Sequence, residues 1–421
     1  MVSKKLLYTC VFTLAAILLV LSGCASNSGT SSGSTGLKAG PGVDVTHKTI
    51  TLGILSPYSG PVAGPIGIPL ANGVKAYFDH VNDNGGIDGF KVLFKEEDTQ
   101  YNPQLEVQLY NQIHNQVAMI ADSLGTPTTY AIQAQSAADH MLVSAATLAS
   151  SLARAQYLIL VGTPYRLQVE NAFDYLVNKV GVKNPATGII YQNDEYGQDG
   201  LTGYNEAIAA YHLNNVAEAT YAATDTNFTA QVLQMKKAGA KYVFLTTIPS
   251  ATAVILGTAY QLGYNPQWIL QSPAFAQVLL GVPGLKPLLE RCWIVGQGAT
   301  WGDTSVPGMA QLLQDVAKYF PKQGPDGYFE FGYTESWITY AILKKALDNN
   351  DISRDGLYKA FQSLGTVNLG GLYPSATYGS SPNQRVPTRD SVMFQIDATK
   401  PAGVRALTGD FTGSAAMASN F

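Results

Sequence analysis

The chain has 421 residues, 46% of them hydrophobic and only 13% charged, with a formal net charge of −4. That length exceeds one compact core and points to two or three domains or one large α/β unit, while the apolar content excludes a disordered chain. The acidic balance argues against nucleic acid, which needs a basic footprint, and three cysteines are too few for a disulfide scaffold.

Lys4 and Lys5 precede an uncharged apolar run over residues 6–21. The run is short for a membrane span, which needs about 20 apolar residues, and suits the apolar segment of a signal peptide. It ends in Leu21-Ser22-Gly23-Cys24, which resembles a bacterial lipobox. Residues 1–23 are therefore expected to be a lipoprotein signal peptide and Cys24 the lipidated residue. Residues 24–47 then form a flexible tether, since 25–42 are rich in Ser, Gly, Thr and Ala. Cys292 is left as the single thiol of the folded body; it opens the apolar stretch Trp293-Ile294-Val295 and reads as buried and inert.

From His47 onward, strand, loop and helix repeat. Ile50, Leu52 and Ile54 alternate in a first strand, and Leu70, Val74, Tyr77, Phe78 and Val81 recur at helical spacing. Asn84-Gly85-Gly86 stops that helix. A strand is predicted over 91–96, and Leu105, Leu109 and Ile113 mark the next helix. Further strands are predicted over 117–121, 141–144, 157–161, 188–191, 242–246, 268–270, 293–295 and 391–396. Helices are predicted over 197–212, 228–238, 250–262, 306–320, 329–348 and 353–364. Short, unalternating apolar runs suit parallel strands buried on both faces, and strand–helix alternation over this length means doubly wound α/β domains.

No catalytic or metal constellation stands out. The five histidines are scattered, and none forms an H-E-x-x-H pattern. Asp194 and Glu195 are adjacent and point apart on an extended segment, poor geometry for an acid–base pair. What remains is binding chemistry at three loops beyond predicted strand ends. Ser59-Gly60-Pro61 opens a helix whose first amides attract anionic groups. Ser123-Leu124-Gly125-Thr126-Pro127-Thr128-Thr129 offers small residues and hydroxyls, as does Ser144-Ala145-Ala146-Thr147. Each alone reads equally well as ordinary turn and helix-cap chemistry.

These loops sit in a longer pattern. Ser59-Gly60-Pro61-Val62-Ala63, then Asn82-Asp83-Asn84-Gly85-Gly86-Ile87-Asp88-Gly89 with Lys91-Val92, and Asp98 before Asn102-Pro103, resemble the branched-chain amino-acid-type substrate-binding proteins of ABC importers. Ser144-Ala145-Ala146-Thr147 and Asn193-Asp194-Glu195-Tyr196-Gly197 continue the likeness in order, over about residues 48–400. The resemblance implies a type I periplasmic-binding-protein fold: two doubly wound α/β lobes joined by three crossovers, closing on ligand like a hinge. Lobe one would take 48–163 and 300–373, and lobe two 164–299 and 374–421. Carried over residue by residue, Gly125 and Thr126 fall where a ligand carboxylate is held. Ala145 and Thr147 fall where a carbonyl, hydroxyl and amide bind, and Tyr196 where an aromatic closes over the ligand. With Ser59 from the first loop, these are the expected ligand-binding residues.

The chain departs from that pattern near Ser272-Pro273-Ala274, where amino-acid binders place an acid opposite the ligand ammonium, and near Ile248, where they place an aromatic. An unpaired buried ammonium costs several kcal/mol. The expectation is a hydroxyl-rich, carboxylate-free pocket for a neutral or anionic small molecule, with Asp122 as the alternative source of charge. The expected function is an exported, lipid-anchored solute-binding protein. It would deliver a small polar molecule (amino acid, amide, or organic or aromatic acid) to an ABC permease, as a monomer without cofactor or metal. A ligand-sensing lipoprotein on the same fold is the alternative; a hydrolase would lack any assembled triad.

Overall fold

The computed structural model describes residues 36–420; Cys24 and the leader lie outside them. Two parallel sheets organise the body. The first is built on β1 (Thr49–Ser56), β2 (Lys91–Asp98), β3 (Ile120–Leu124), β4 (Val143–Ala146) and β5 (Leu158–Ile159), in the spatial order 2-1-3-4-5, with Val43–Asp44 bridging antiparallel to the start of β1. β1 and β2 pair in parallel from Thr49 opposite Lys91 to Ser56 opposite Asp98. Helix α1 (Ile68–Asp83), α2 (Pro103–Ile113) and α3 (Thr126–Ala138) form the connections. Asn82, near the end of α1, explains one recognised motif: its amide donates to the Val92 carbonyl at 2.8 Å and its oxygen accepts from the Val92 amide at 2.8 Å, fastening α1 to β2. Asn102 caps α2 by accepting from the Gln104 and Leu105 amides.

The second sheet repeats the order. α4 (Tyr165–Asp174) leads into β6 (Ala186–Gln192), then α5 (Glu195–Tyr211), β7 (Asn214–Tyr221), α6 (Thr229–Ala238), β8 (Tyr242–Thr246), α7 (Pro249–Gln261), β9 (Gln267–Gln271) and β10 (Trp293–Gly296). The spatial order 7-6-8-9-10 is parallel throughout. An antiparallel pair, β11 (Val392–Ile396) and β12 (Val404–Ala406), extends its far edge.

The chain passes between the sheets three times. It leaves the first after β5 and returns after β10, where α8 (Pro307–Tyr319) and α9 (Gly327–Asp348) pack against α1; after α10 (Arg354–Gln362) and a hairpin of Gly365–Val367 with Ala376–Tyr378, it crosses to β11. α1 and α9 meet backbone to backbone: a Cβ on Gly73 would lie 2.1 Å from the Phe329 carbonyl oxygen, and one on Gly332 2.1 Å from that of Leu70.

Most predicted strands and helices fall where the structure has them. The strand expected over 117–121 runs instead over Ile120–Leu124. Its approach already bonds to β1, from the Ala118 amide to the Thr51 carbonyl at 2.8 Å and from the Gly53 amide to the Met119 carbonyl at 3.0 Å, and an irregularity at Gly53/Ile54 then shifts the register. The edge strand β7 carries exposed polar positions and so lacks the apolar run that marks the others. Cys292 is fully buried, its thiol donating to the Leu288 carbonyl at 3.4 Å, and burial pushes its pKa up.

Buried acids in the first sheet make stability depend on pH. Burial pushes the Glu106 carboxyl up to about 8, against the hydrogen bond from Ser123 Oγ at 2.5 Å. Asp122, also fully buried, is pushed up to about 8 by burial. Such groups hold their protons more tightly in the folded chain, so their contribution is fully present below about pH 4 and is lost as pH rises through about 8. Urea-unfolding stability is expected to fall from about pH 5 to about pH 8, with Glu106→Gln removing up to about 1.4 kcal/mol per pH unit of that slope. An unchanged slope would show that Glu106 does not titrate on unfolding.

Candidate ligand-binding site

In a sheet of order 2-1-3-4-5, the crevice for a ligand opens beyond the carboxyl ends of strands 1 and 3, where the chain turns to opposite faces. Both sheets have such a point, and the two open on one cavity of about 200 Å³. From the first sheet, Val62 and Ile66 follow β1, Gly125 and Thr126 follow β3, and Thr147 follows β4. From the second, Tyr196 lies in the first turn of α5 after β6, Ile248 follows β8, and Ser272 and Pro273 follow β9. The first turn of α9 closes a third side with Tyr328, Glu330 and Phe331. Tyr328 ties that turn to the loop after β9, its hydroxyl lying 2.9 Å from the Phe275 carbonyl and 3.1 Å from that of Pro273. Ser150 makes a second tie, donating to Asp199 Oδ2 on α5 through its amide at 3.0 Å and its hydroxyl at 2.9 Å.

The walls are mostly apolar and aromatic, among them Leu124, Phe275, Trp301, Phe394, Tyr101 and Tyr373. Hydroxyls gather at one corner, where Thr126 Oγ1 and Thr147 Oγ1 are 2.6 Å apart and Thr147 also accepts from the Ala149 amide at 3.2 Å. Thr126 is the first residue of α3, and no side chain caps that helix; its first amides therefore carry the positive end of the helix dipole at this corner. Gly125 is held at φ +113°, and a Cβ there would lie 2.5 Å from Tyr101 Cε2. Tyr196 packs edge-on to Tyr165 at 4.9 Å between centroids and donates to the Thr247 carbonyl at 3.2 Å.

The structure thus gathers Gly125, Thr126, Thr147 and Tyr196 round one cavity and leaves Ser59 and Ala145 out of its lining. Ser59 is exposed and turned to Asp98, accepted there by Oδ2 at 2.6 Å from its hydroxyl. Ala145 is buried inside β4, opposite Ser123, because the strand runs two residues further than expected; its neighbour Ala146 lines the cavity instead. Asp122 is buried within β3, away from the lining. None of Ser272, Pro273 and Ala274 is an acid, in keeping with the departure read from the residues.

The expectation of a hydroxyl-rich, carboxylate-free pocket is corrected on both points. Apolar and aromatic groups dominate, and Glu330 supplies a carboxyl. Glu330 is 5% exposed, its Oε1 has no hydrogen-bond partner, and burial holds its carboxyl well above the usual range. Its signal in the sequence is an acid set between aromatics, Tyr328-Phe329-Glu330-Phe331; the helical period alone assigns the segment to the core. No Lys, Arg or His lines the cavity, and among the described residues no three His, Cys, Asp or Glu side chains are arranged to hold a metal ion.

The sequence profile of the periplasmic binding proteins matches residues 49–401. Leu/Ile/Val-binding protein homolog 7 of Brucella abortus (strain 2308) is 24% identical over 315 residues, 70% of this chain and 77% of that protein. Among solved structures, the fatty acid ABC transporter substrate-binding protein from Thermomonospora curvata superposes with a TM-score of 0.85 at 27% identity, covering 92% of this chain and 97% of that one. A branched-chain amino acid ABC transporter protein from Thermus thermophilus with bound valine superposes with a TM-score of 0.75 at 16% identity, covering 88% and 98%. With the profile spanning most of the chain and two sheets of the same order meeting at one cavity, the chain belongs to the periplasmic binding protein family and has its two-lobed type I fold.

Proposed function

We propose that this protein captures a largely apolar ligand with one acidic end, a chain acid of the fatty-acid type, and hands it to an ABC permease. The observation that carries the reading is the lining: apolar and aromatic walls with hydroxyls gathered at the Thr126–Thr147 corner. Ligand sites of this kind bury an apolar body and fix its orientation through few polar groups. A volume of about 200 Å³ exceeds the roughly 150 Å³ of an apolar cavity that admits benzene. The fatty-acid protein of Thermomonospora curvata supports the ligand class. The segment Ser272-Pro273-Ala274, where the resemblance to amino-acid binders places the ammonium's acidic partner, carries no acid.

In this reading the lobes comprise 48–163 with 300–373 and 164–299 with 374–421. Closure is driven by the ligand's greater affinity for the closed state. The body works outside the cytoplasm as a monomer, held to the membrane by lipid on Cys24, and performs no chemistry on what it binds. The Gly125, Thr126 and Thr147 corner takes the acid group, and Tyr196 covers it from the second lobe.

A thermal-shift series with octanoate, decanoate, hexadecanoate, leucine and valine tests the ligand class. An acid at 100 times its Kd is expected to stabilise by about 2.7 kcal/mol, and the two amino acids by much less. Stabilisation by leucine or valine alone would reject the reading. Thr126→Val with Thr147→Val is expected to cut acid affinity about tenfold or more at a cost of only about 1 kcal/mol in stability: the bond between the two hydroxyls loses both partners, and the Ala149 amide loses its acceptor. An equal fall in affinity and stability would make the pair a packing element.

A further inference from the structure

One group in the cavity has no counterpart in the corner just described. Glu330 projects from the first turn of α9, which shares its cavity-lining face with Gly327, Tyr328 and Phe331. Its Oε1 is buried without a partner, and none of the ion pairs among the described residues involves it. The titratable neighbours are acids and phenols: Asp326, which caps α9, Tyr328 beside it, Glu335 further along the helix and Tyr373 from the loop of the hairpin. From the β10 side come Gln297 and Trp301, and α1 contributes Leu70. No cation stands among these, so nothing offsets the cost of ionising a carboxyl in an apolar wall. A neutral carboxyl carries one O–H donor, and an unsatisfied buried polar group costs about 1–3 kcal/mol. A ligand oxygen would satisfy it.

We propose that the Glu330 carboxyl is a specificity-determining group of this site, donating a hydrogen bond to a ligand oxygen and so selecting chain acids over amines of the same length. The inference rests on reading the ligand as a chain acid. It also accounts for a cavity that takes an anion without any Lys, Arg or His in its lining: a hydrogen bond from the acid form, the Thr126 and Thr147 hydroxyls and the amides of α3 do the holding. Ionised Glu330 would repel the same ligand. Affinity for an acid therefore falls where rising pH ionises Glu330, whose carboxyl burial holds well above the usual range, although the ligand itself stays ionised throughout.

Titration calorimetry on the full processed chain, with decanoate and decylamine at about pH 7 and about pH 9, separates the outcomes. The wild type is expected to prefer decanoate, with affinity falling about tenfold at the higher pH. Glu330→Gln keeps a neutral donor of the same shape; it is expected to bind decanoate within about threefold of the wild type and to lose the pH dependence. Glu330→Ala is expected to lose about tenfold. A wild type that prefers decylamine, with that preference lost in Glu330→Gln, would overturn the proposal by showing an ionised partner for an ammonium. Equal decanoate affinity for wild type and Glu330→Ala would overturn it while leaving the chain-acid reading standing. A wild type that binds no acid at all would overturn both.

Discussion

Gly125→Ala is expected to lower unfolding stability by about 2–3 kcal/mol and acid affinity by at least about tenfold, read by urea denaturation and by ligand titration. Two costs combine. The backbone at Gly125 has φ +113°, a conformation that L side chains rarely adopt, so an alanine is strained whatever the space. Its Cβ would also meet Tyr101 Cε2 at 2.5 Å and Thr128 Oγ1 at 2.8 Å. Tyr101 lines the cavity, so the ring that must yield belongs to the ligand's wall. Adding Tyr101→Ala should relieve the ring collision and leave the Thr128 Oγ1 contact and the backbone strain, recovering part of the stability and none of the affinity. Full recovery of both would show that the positive φ is incidental.

Gly332→Ala is expected to cost about 3 kcal/mol, toward the upper end of overpacking penalties. The new methyl would lie 2.1 Å from the Leu70 carbonyl oxygen and 3.2 Å from the Val74 amide, both backbone atoms that no rotamer change can move. Gly73 makes the reciprocal approach to Phe329, so α1 and α9 would have to separate along their contact. Both helices supply the cavity, through Leu70 on one and Tyr328 and Glu330 on the other, so ligand affinity should fall with stability. Gly257→Ala is the control: it sits in α7 with nothing within 4 Å of the added Cβ, and alanine there should stabilise by up to about 1 kcal/mol. Equal effects at 257 and 332 would mean that helix propensity, not contact, decides.

Much of the architecture was legible because its causes are local. Unbroken apolar runs such as Tyr242–Thr246 are what a strand buried on both faces requires, and the Asn84-Gly85-Gly86 stop reflects left-handed backbone that glycine tolerates, with Gly85 and Gly86 at φ +98° and +76°. The motif around Asn82 was readable before its purpose, the two-bond clasp on Val92. The gathering of Gly125, Thr126 and Thr147 at one corner of the cavity was legible too, since residues just past the strand ends fall where the crevice of such sheets opens. Strand limits were less so: β4 reaches two residues beyond its predicted end, which places Ala146 rather than Ala145 at the cavity, and a side chain's face reverses with each residue along a strand.

What the residues alone determined, then, is a doubly wound α/β chain with a glycine and hydroxyls just beyond two strand ends and no acid at Ser272-Pro273-Ala274. Only the tertiary structure decided what else lines the cavity. Tyr101, Trp301, Glu330 and Tyr373 are separated by up to 272 positions and come from the loop after β2, the loop after β10, helix α9 and the loop of the hairpin. Helical periodicity distinguishes an inward face from an outward one, but it treats a core and a cavity alike, because both are simply places without water-facing side chains. Whether Glu330 is sealed against another helix or opens on a ligand depends on where α9 docks against α1, and that is set by two glycines some 260 residues apart, Gly73 and Gly332, whose missing side chains let the backbones touch.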